Sequence, residues 1–168
     1  MILNISVEKT KTYQLYATNT LRDFDKVNNN NWRFRGTTAL KTLYEEIKFQ
    51  QIRFYCKKEG HNRVIDIATK TDAKGKAVLD YMLGFTDTVP AACGSYDRLE
   101  GDTSELTAHC GWWNRNVWSF DTSGPVDPDR RLYLLPFFQH AQRMYSVGGG
   151  CDDDVGGDQS GHWKIFVR

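Results

Sequence analysis

Two runs of alternating residues, separated by a short polar turn, constrain the fold of this chain more than any other feature. In QIRFYCKK the apolar residues occupy every second position, and after the turn EGHN the run RVIDIATK repeats the pattern. A period of two residues is typical of half-buried strands, so the pair predicts an antiparallel hairpin. After DAKG, the segment KAVLDYMLG is predicted to add a third strand to this meander. Its apolar residues also fit one face of a helix, but Gly75 favours the strand.

Nearer the N-terminus, two segments are predicted strands and one is a predicted helix. ISVEKTKTYQLYA alternates polar and apolar residues, and in WRFRG the aromatic residues share one face while the arginines share the other. TTALKTLYEEIKF has helical spacing instead, because its apolar residues recur at intervals of three and four behind a threonine that can cap a helix. We therefore expect one short helix after the second strand.

The C-terminal part of the chain adds three further predicted strands, RRLYLLPFF, RMYSV and HWKIFVR. Together these elements predict an all-β or β-rich fold, built as an antiparallel β-sandwich with one short helix and stapled by disulfides. A chain of 168 residues suits one domain, so we expect a single unit spanning 1–168.

The net charge and the hydropathy of the chain argue against nucleic acid and membranes as binding partners. The 22 basic and 21 acidic residues nearly cancel, so no long-range field attracts nucleic acid or an anionic membrane, and neither is an expected partner. The sequence contains no run of about eighteen apolar residues, and we therefore expect no membrane span.

The cysteines are even in number and widely spaced, and they form neither a CxxC pair nor a zinc-finger arrangement. Disulfides therefore fit better than zinc, with four buried free thiols as the alternative. We predict that Cys93 pairs with Cys110, which would close a long irregular loop, and that Cys56 pairs with Cys151.

The cysteines and a glycosylation pattern indicate the cellular compartment of the protein. Disulfides are typical of extracellular proteins, and the triplet Asn4-Ile5-Ser6 is a glycosylation acceptor pattern. The N-terminal MILNISVEKTKTYQLYA is too short and too polar to be a signal peptide. We expect a secreted protein whose signal peptide is absent from this sequence.

The segment GGGCDDDVGGDQSG sets four carboxylates among six glycines. Carboxylates this close repel one another unless a cation lies among them, and glycines let the backbone fold tightly around an ion. The segment predicts an irregular calcium site with the ligands Asp152, Asp153, Asp154 and Asp158. A solvated acidic turn is the alternative, because the EF-hand pattern requires a bidentate Glu where Trp163 stands.

The loop that follows Cys110 combines flat apolar rings with hydrogen-bonding groups. Sugars present C–H faces that stack on indole rings and hydroxyls that pair with amide and guanidinium groups. The predicted ligand-binding residues are Trp112, Trp113, Asn114, Arg115 and Trp118. Neighbouring side chains of an extended chain point to opposite faces, so at least one of Trp112 and Trp113 is predicted to be exposed. At least one of the three tryptophans is expected to fill the core instead.

Catalytic motifs are missing from the sequence: the four histidines are dispersed, and neither HExxH nor GxSxG occurs. We therefore expect a lectin-like or adhesion module, not an enzyme, that binds a carbohydrate or glycoprotein with the help of calcium. Two alternatives stay open, namely an extracellular structural or matrix protein and a hydrolase whose site assembles only in space.

Overall fold

A computed structural model describes residues 3–7, 14–18, 31–35, 37–58, 62–113, 115–119, 126–128, 131, 132, 135 and 161–168. The strands are β1 (Leu3–Val7), β2 (Gln14–Thr18), β3 (Asn31–Arg35), β4 (Ile52–Lys58), β5 (Val64–Thr69), β6 (Tyr96–Arg98) and β7 (Gly161–Val167). The helices are α1 (Thr37–Ile47), α2 (Ala73–Met82) and α3 (Glu105–Ala108), and Cys110–Trp112 forms a short 3-10 helix.

Five of these strands form one antiparallel sheet in the order β1-β7-β4-β5-β6. The register sets Phe54 opposite both Ile67 of β5 and Ile165 of β7. The predicted hairpin is therefore confirmed as β4 and β5, and the predicted strand HWKIFVR is confirmed as β7. Along β4 the residues at every second position are buried, as the alternation predicts: these are Ile52, Phe54 and Cys56.

The N-terminal strands differ from the prediction in two respects. ISVEKTKTYQLYA contains two strands, β1 and β2, where one was expected. The strand predicted in WRFRG is confirmed for its residues 32–35, which lie in β3, but β2 and β3 pair in parallel, with Gln14 opposite Asn31. The fold is thus β-rich, with a main antiparallel sheet and a small parallel pair. A sandwich stays a prediction, because RMYSV and most of RRLYLLPFF lie outside the described residues. Arg131 and Leu132, at the start of RRLYLLPFF, form a turn and not a strand.

Helix α1 confirms the prediction from helical spacing. Leu40 is fully buried, and Leu43 and Tyr44 pack against the core from the same face. Ile47, at the end of the same predicted stripe, is 55% exposed. The apolar face therefore meets the core along the N-terminal part of the helix.

Helix α2 lies where a third strand of the meander was predicted, and that prediction is wrong. Asp72 caps the helix, because its Oδ1 accepts hydrogen bonds from the backbone N–H groups of Lys74 and Gly75 at 2.9 and 3.0 Å. In the sequence Gly75 favours a strand, but in the structure it is required for close packing of the helix. A Cβ on this residue would collide with the carbonyl oxygen of Lys70, so glycine is what allows the helix to approach the preceding loop.

The core lies between one face of the sheet and the two longer helices. From the sheet it takes the alternate residues of β4, β5 and β7, among them Phe54 and Ile165. From the helices it takes Leu40, Val78 and Met82. The loop after β6 adds large aromatic side chains to the same cluster, and those aromatic residues build the candidate site.

Candidate functional site

A disulfide between Cys93 and Cys110 holds the loop that carries the predicted ligand-binding residues. Their Cα atoms lie 5.1 Å apart, and the bridge joins the loop before β6 to the start of the 3-10 helix. This confirms the predicted local pair. Cys56 is also disulfide-bonded. Its predicted partner, Cys151, lies outside the described residues, so that pairing stays a prediction.

Backbone contacts add to the disulfide and tie the same two loop segments together. Ala91 and Val117 form an isolated antiparallel bridge. Next to it, the Ala92 N–H donates to the carbonyl oxygen of Asn116 at 2.9 Å, and the Cys93 N–H donates to the Asn116 Oδ1 at 2.6 Å. Residues 91–93 and 116–117 thus form one rigid unit around the Cys93–Cys110 disulfide.

An aromatic cluster supports this unit from below. Trp113 stacks on Tyr96 with ring centroids 4.9 Å apart, and Trp118 meets Trp113 edge to face at 5.1 Å. Trp118 also contacts Phe54 of the sheet, with centroids 5.4 Å apart. Both tryptophans are fully buried. Through these rings the loop is anchored directly to the central strand of the core.

The polar atoms of the cluster have partners of their own. The Trp113 Nε1 donates to the Leu106 carbonyl oxygen at 2.9 Å, and the Trp118 Nε1 donates to the Ser95 Oγ at 2.7 Å. The Tyr96 hydroxyl donates to the Thr107 carbonyl oxygen at 2.6 Å, and burial raises the pKa of this hydroxyl. Tyr96 therefore acts as a hydrogen-bond donor that stays protonated, not as an acid or base.

Trp112 has the opposite environment to Trp113. Its side chain is 51% exposed, which confirms the prediction that one member of the pair faces outward. The indole stacks on the His109 ring with centroids 4.3 Å apart, and the Trp112 N–H donates to the His109 carbonyl oxygen at 2.9 Å. The 3-10 turn sets this stacking, because residues three apart eclipse one another there.

The other predicted ligand-binding residues divide between surface and core. Arg115 is exposed. Trp113 and Trp118 lie in the core, where a ligand does not reach them, so they hold the loop in place. Asn114 lies outside the described residues. We call the exposed pair Trp112 and His109, together with Arg115, the Trp112 platform.

A buried carboxylate holds the segment that leads into the platform. The Asp102 side chain has no exposed surface. Its Oδ1 accepts from the Arg98 Nε and the Thr107 Oγ1, both at 2.7 Å, and its Oδ2 accepts from the Asp66 N–H at 2.8 Å. Since Thr107 belongs to α3, this carboxylate ties α3 to the sheet edge and so fixes where the 3-10 helix begins.

The geometry also limits the chemistry at this site. Cys110 is bonded to Cys93 and cannot serve as a thiol nucleophile beside His109. Within the described part of the chain, no group of three or more His, Cys, Asp and Glu side chains could hold a metal ion. The predicted calcium ligands Asp152, Asp153, Asp154 and Asp158 lie outside the described residues. The described helices include none that could cross a membrane.

Sequence reasoning overlooked two residues of the site. His109 is not among the predicted ligand-binding residues, although its spacing of three from Trp112 is the spacing of a 3-10 turn. Asn116 received no role, although asparagine is the non-glycine residue that most readily adopts a left-handed backbone, and it does so here with φ of +66°.

Comparison of the chain with protein-family models, with curated proteins and with solved structures finds no match. The function therefore has to be argued from the site itself.

Proposed function

We propose that this protein is a secreted, lectin-like binding module, not an enzyme, whose ligand is a carbohydrate or the sugar of a glycoprotein. The observation that carries the proposal is the exposed indole of Trp112 on a loop pinned by the Cys93–Cys110 disulfide. The exposed face of an indole can stack on the row of C–H groups that one face of a pyranose ring offers. The exposed donors of Arg115 suit the hydroxyls at the rim of such a ring.

The rigidity of the loop supports the same proposal. Trp113 and Trp118 are buried beneath the platform, and Asn116 holds the facing loop segment through two hydrogen bonds. A ligand that meets a fixed surface does not have to order it, so more of the contact energy appears as affinity. Sugars bind weakly through single contacts, and a preorganised platform is the arrangement that favours them.

Calcium is a further part of the proposal, and it is supported by the sequence alone. Asp152, Asp153, Asp154 and Asp158 offer hard oxygen ligands in a glycine-rich segment. A cation that binds the folded state raises its stability by about 2.7 kcal/mol at a hundredfold excess over the dissociation constant.

Thermal melts in calcium and in chelator test this, with Asp152→Asn and Asp154→Asn as matched variants. An equal melting temperature in all samples would show that the acidic segment does not bind calcium and is a solvated turn.

The finer architecture and the compartment belong to the same proposal. Predicted strands in RRLYLLPFF and RMYSV would supply a second sheet and complete an antiparallel β-sandwich. The disulfides support an extracellular location, where such bonds form and persist.

A glycan array tests the proposal directly. The disulfide-bonded protein is applied with calcium and with chelator, beside Trp112→Ala. We expect a restricted set of oligosaccharides to bind the wild type and to lose binding in the variant. Calcium dependence would support the ion as part of the site, and its absence would remove only that part. Failure of every glycan to bind, or equal binding by Trp112→Ala, would overturn the proposal.

A further inference from the structure

The turn that presents Arg115 has an unusual backbone. Arg115 and its neighbour Asn116 both have φ of +66°. This left-handed region is sparsely used by residues other than glycine, and asparagine tolerates it far better than arginine. A glycine would relieve the strain at the first position, yet the chain has an arginine there. Strained positions of this kind are concentrated at ligand-binding sites.

The contacts around the turn enforce this conformation. The Val117 N–H donates to the Trp113 carbonyl oxygen at 3.0 Å and closes the turn. On the far side, both the side chain and the carbonyl oxygen of Asn116 are engaged by residues 92 and 93. Arg115 is therefore held at the tip of a turn whose two ends are fixed.

The guanidinium of Arg115 differs from those of the other described arginines. Among the arginines whose side chains the structure describes, five have partners at 2.7 Å or less: Arg53 with Asp66, Arg63 with Glu105, Arg98 with Asp102, Arg131 with backbone oxygens and Asp87, and Arg168 with Gln51. Arg115 makes no hydrogen bond or ion pair with any described residue, and its side chain is exposed. Its five N–H donors can therefore be reached by a ligand.

Arg115 also lies close to the exposed indole. Three peptide steps of about 3.8 Å separate it from Trp112, so their Cα atoms lie at most about 11 Å apart. The Trp113 N–H donates to the Cys110 carbonyl oxygen at 3.1 Å and closes the turn that carries Trp112, and the next turn, 113–117, carries Arg115. One sugar unit can therefore stack on the ring while a group attached to it reaches the guanidinium.

We propose, on the basis of the proposed function, that the ligand is an anionic saccharide, and that Arg115 binds its carboxylate or sulfate group while Trp112 stacks on the sugar ring. The planar fork of a guanidinium matches two oxygens of such a group, and these charge-assisted bonds are stronger than bonds to neutral hydroxyls. Arg115 thereby selects acidic over neutral sugars, and Trp112 supplies contact energy common to both.

The test compares three probes and three variants of the full chain. The probes are a sulfated oligosaccharide that also carries uronic acid, the same oligosaccharide after desulfation, and a neutral oligosaccharide of equal length. Arg115→Asn removes the charge and tolerates the left-handed backbone, while Arg115→Lys keeps the charge and loses the fork. Lys57→Gln removes one exposed positive charge from β4 and serves as the matched control.

We expect Arg115→Asn to weaken binding of at least one acidic probe by about tenfold or more, the size of effect that a charge-assisted pair produces. Arg115→Lys should lose part of that affinity, and Lys57→Gln should bind as the wild type does. The melting temperature should not fall in Arg115→Asn. Loss of binding on desulfation would identify the sulfate as the recognised group, and retained binding would identify the carboxylate.

Three results would overturn the inference. Equal affinity of the wild type for the neutral and acidic probes would show that Arg115 does not select charge, while the proposed carbohydrate function would stand. Equal losses in Arg115→Asn and Lys57→Gln would show non-specific attraction. If no probe of any kind binds, the inference and the proposed function both fail.

Discussion

Trp113 lies face to face on Tyr96, with ring planes only 6° apart, while its neighbour Trp112 turns away and leaves about half of its surface in water. The two indoles therefore have separate purposes. Trp113 stabilises the loop through the core, and Trp112 is available to a ligand.

This division predicts opposite results from two alanine substitutions. Trp113→Ala should lower the free energy of unfolding by about 3–5 kcal/mol, as buried aromatic truncations do. Trp112→Ala should change it by no more than about 0.5 kcal/mol. Urea unfolding followed by circular dichroism measures both. Similar losses in the two variants would show that Trp112 belongs to the core after all.

The disulfide should contribute measurably to stability. Cys93 and Cys110 are separated by 17 positions, and the chain-entropy model gives about 3 kcal/mol for a loop of this size. The double variant Cys93→Ala with Cys110→Ala should lose about that amount in the same unfolding experiment. Peptide mapping without reduction supplies the control, and free thiols at both positions of the native protein would contradict the pairing.

The cap of α2 predicts a dependence of stability on pH. The hydrogen bond from the Gly75 N–H, followed by the one from the Lys74 N–H, holds the pKa of Asp72 below its usual value in the folded state. A lowered carboxyl pKa stabilises the fold above the unfolded pKa of about 3.9, and the stabilisation is lost as the pH falls through the folded pKa. Asp72→Ala should therefore melt below the wild type at pH 7, and the difference should shrink at pH 3.

Asp72→Asn is the matched control for this prediction. Asparagine caps helices about as well as aspartate but does not titrate. The melting temperature of Asp72→Asn should stay near that of the wild type at pH 7. Its decrease towards pH 3 should be smaller than that of the wild type, because residue 72 no longer titrates. An unchanged gap between wild type and Asp72→Ala at both pH values would contradict the role of the charge.

Gly75→Ala should destabilise the protein, although alanine is the better helix former by about 1 kcal/mol. The added methyl group would meet the Lys70 carbonyl oxygen, which belongs to the backbone and cannot move aside freely. Ala77→Gly, at an exposed position of the same helix, measures the propensity effect alone. A rise in melting temperature for Gly75→Ala would refute the close approach.

These positions also show how far the sequence determines the fold. The alternation in β4 is visible in the sequence because one face of that strand is buried and the other is partly exposed. β5 alternates in the sequence as well, yet the structure buries Asp66 too: its carboxylate pairs with Arg53 at 2.7 Å, and its N–H donates to Asp102. That burial depends on residues 13 and 36 positions away, which no local pattern records.

The helix at α2 was missed for a related reason. A glycine inside an apolar run weakens both helix and strand predictions, and only the tertiary approach of Lys70 explains why it is needed. The parallel pairing of β2 with β3 is likewise a matter of topology, because their sequences fit either direction.

The candidate site could be predicted in part. Two adjacent tryptophans on a short segment require one to face outward, and the local disulfide follows from two cysteines inside one irregular loop. The stacking of His109 on Trp112 and the left-handed turn at Arg115 depend on the 3-10 helix and on contacts from residues 91–93. The contacts from residues 91–93 are long-range and leave no periodic trace in the sequence, whereas the spacing of three between His109 and Trp112 is a local signal.

Calorimetric titration of a glycan selected on the array measures whether Trp112 forms a saccharide-binding platform. Phe85 is the matched control, because it is 51% exposed, the same fraction as Trp112, and lies after α2. We predict that Trp112→Ala loses about 1–3 kcal/mol of binding free energy, the range of aromatic stacking contacts. Phe85→Ala should bind as the wild type does. Unchanged affinity in Trp112→Ala, or an equal loss in Phe85→Ala, would show that the Trp112 indole is not the surface on which the sugar binds.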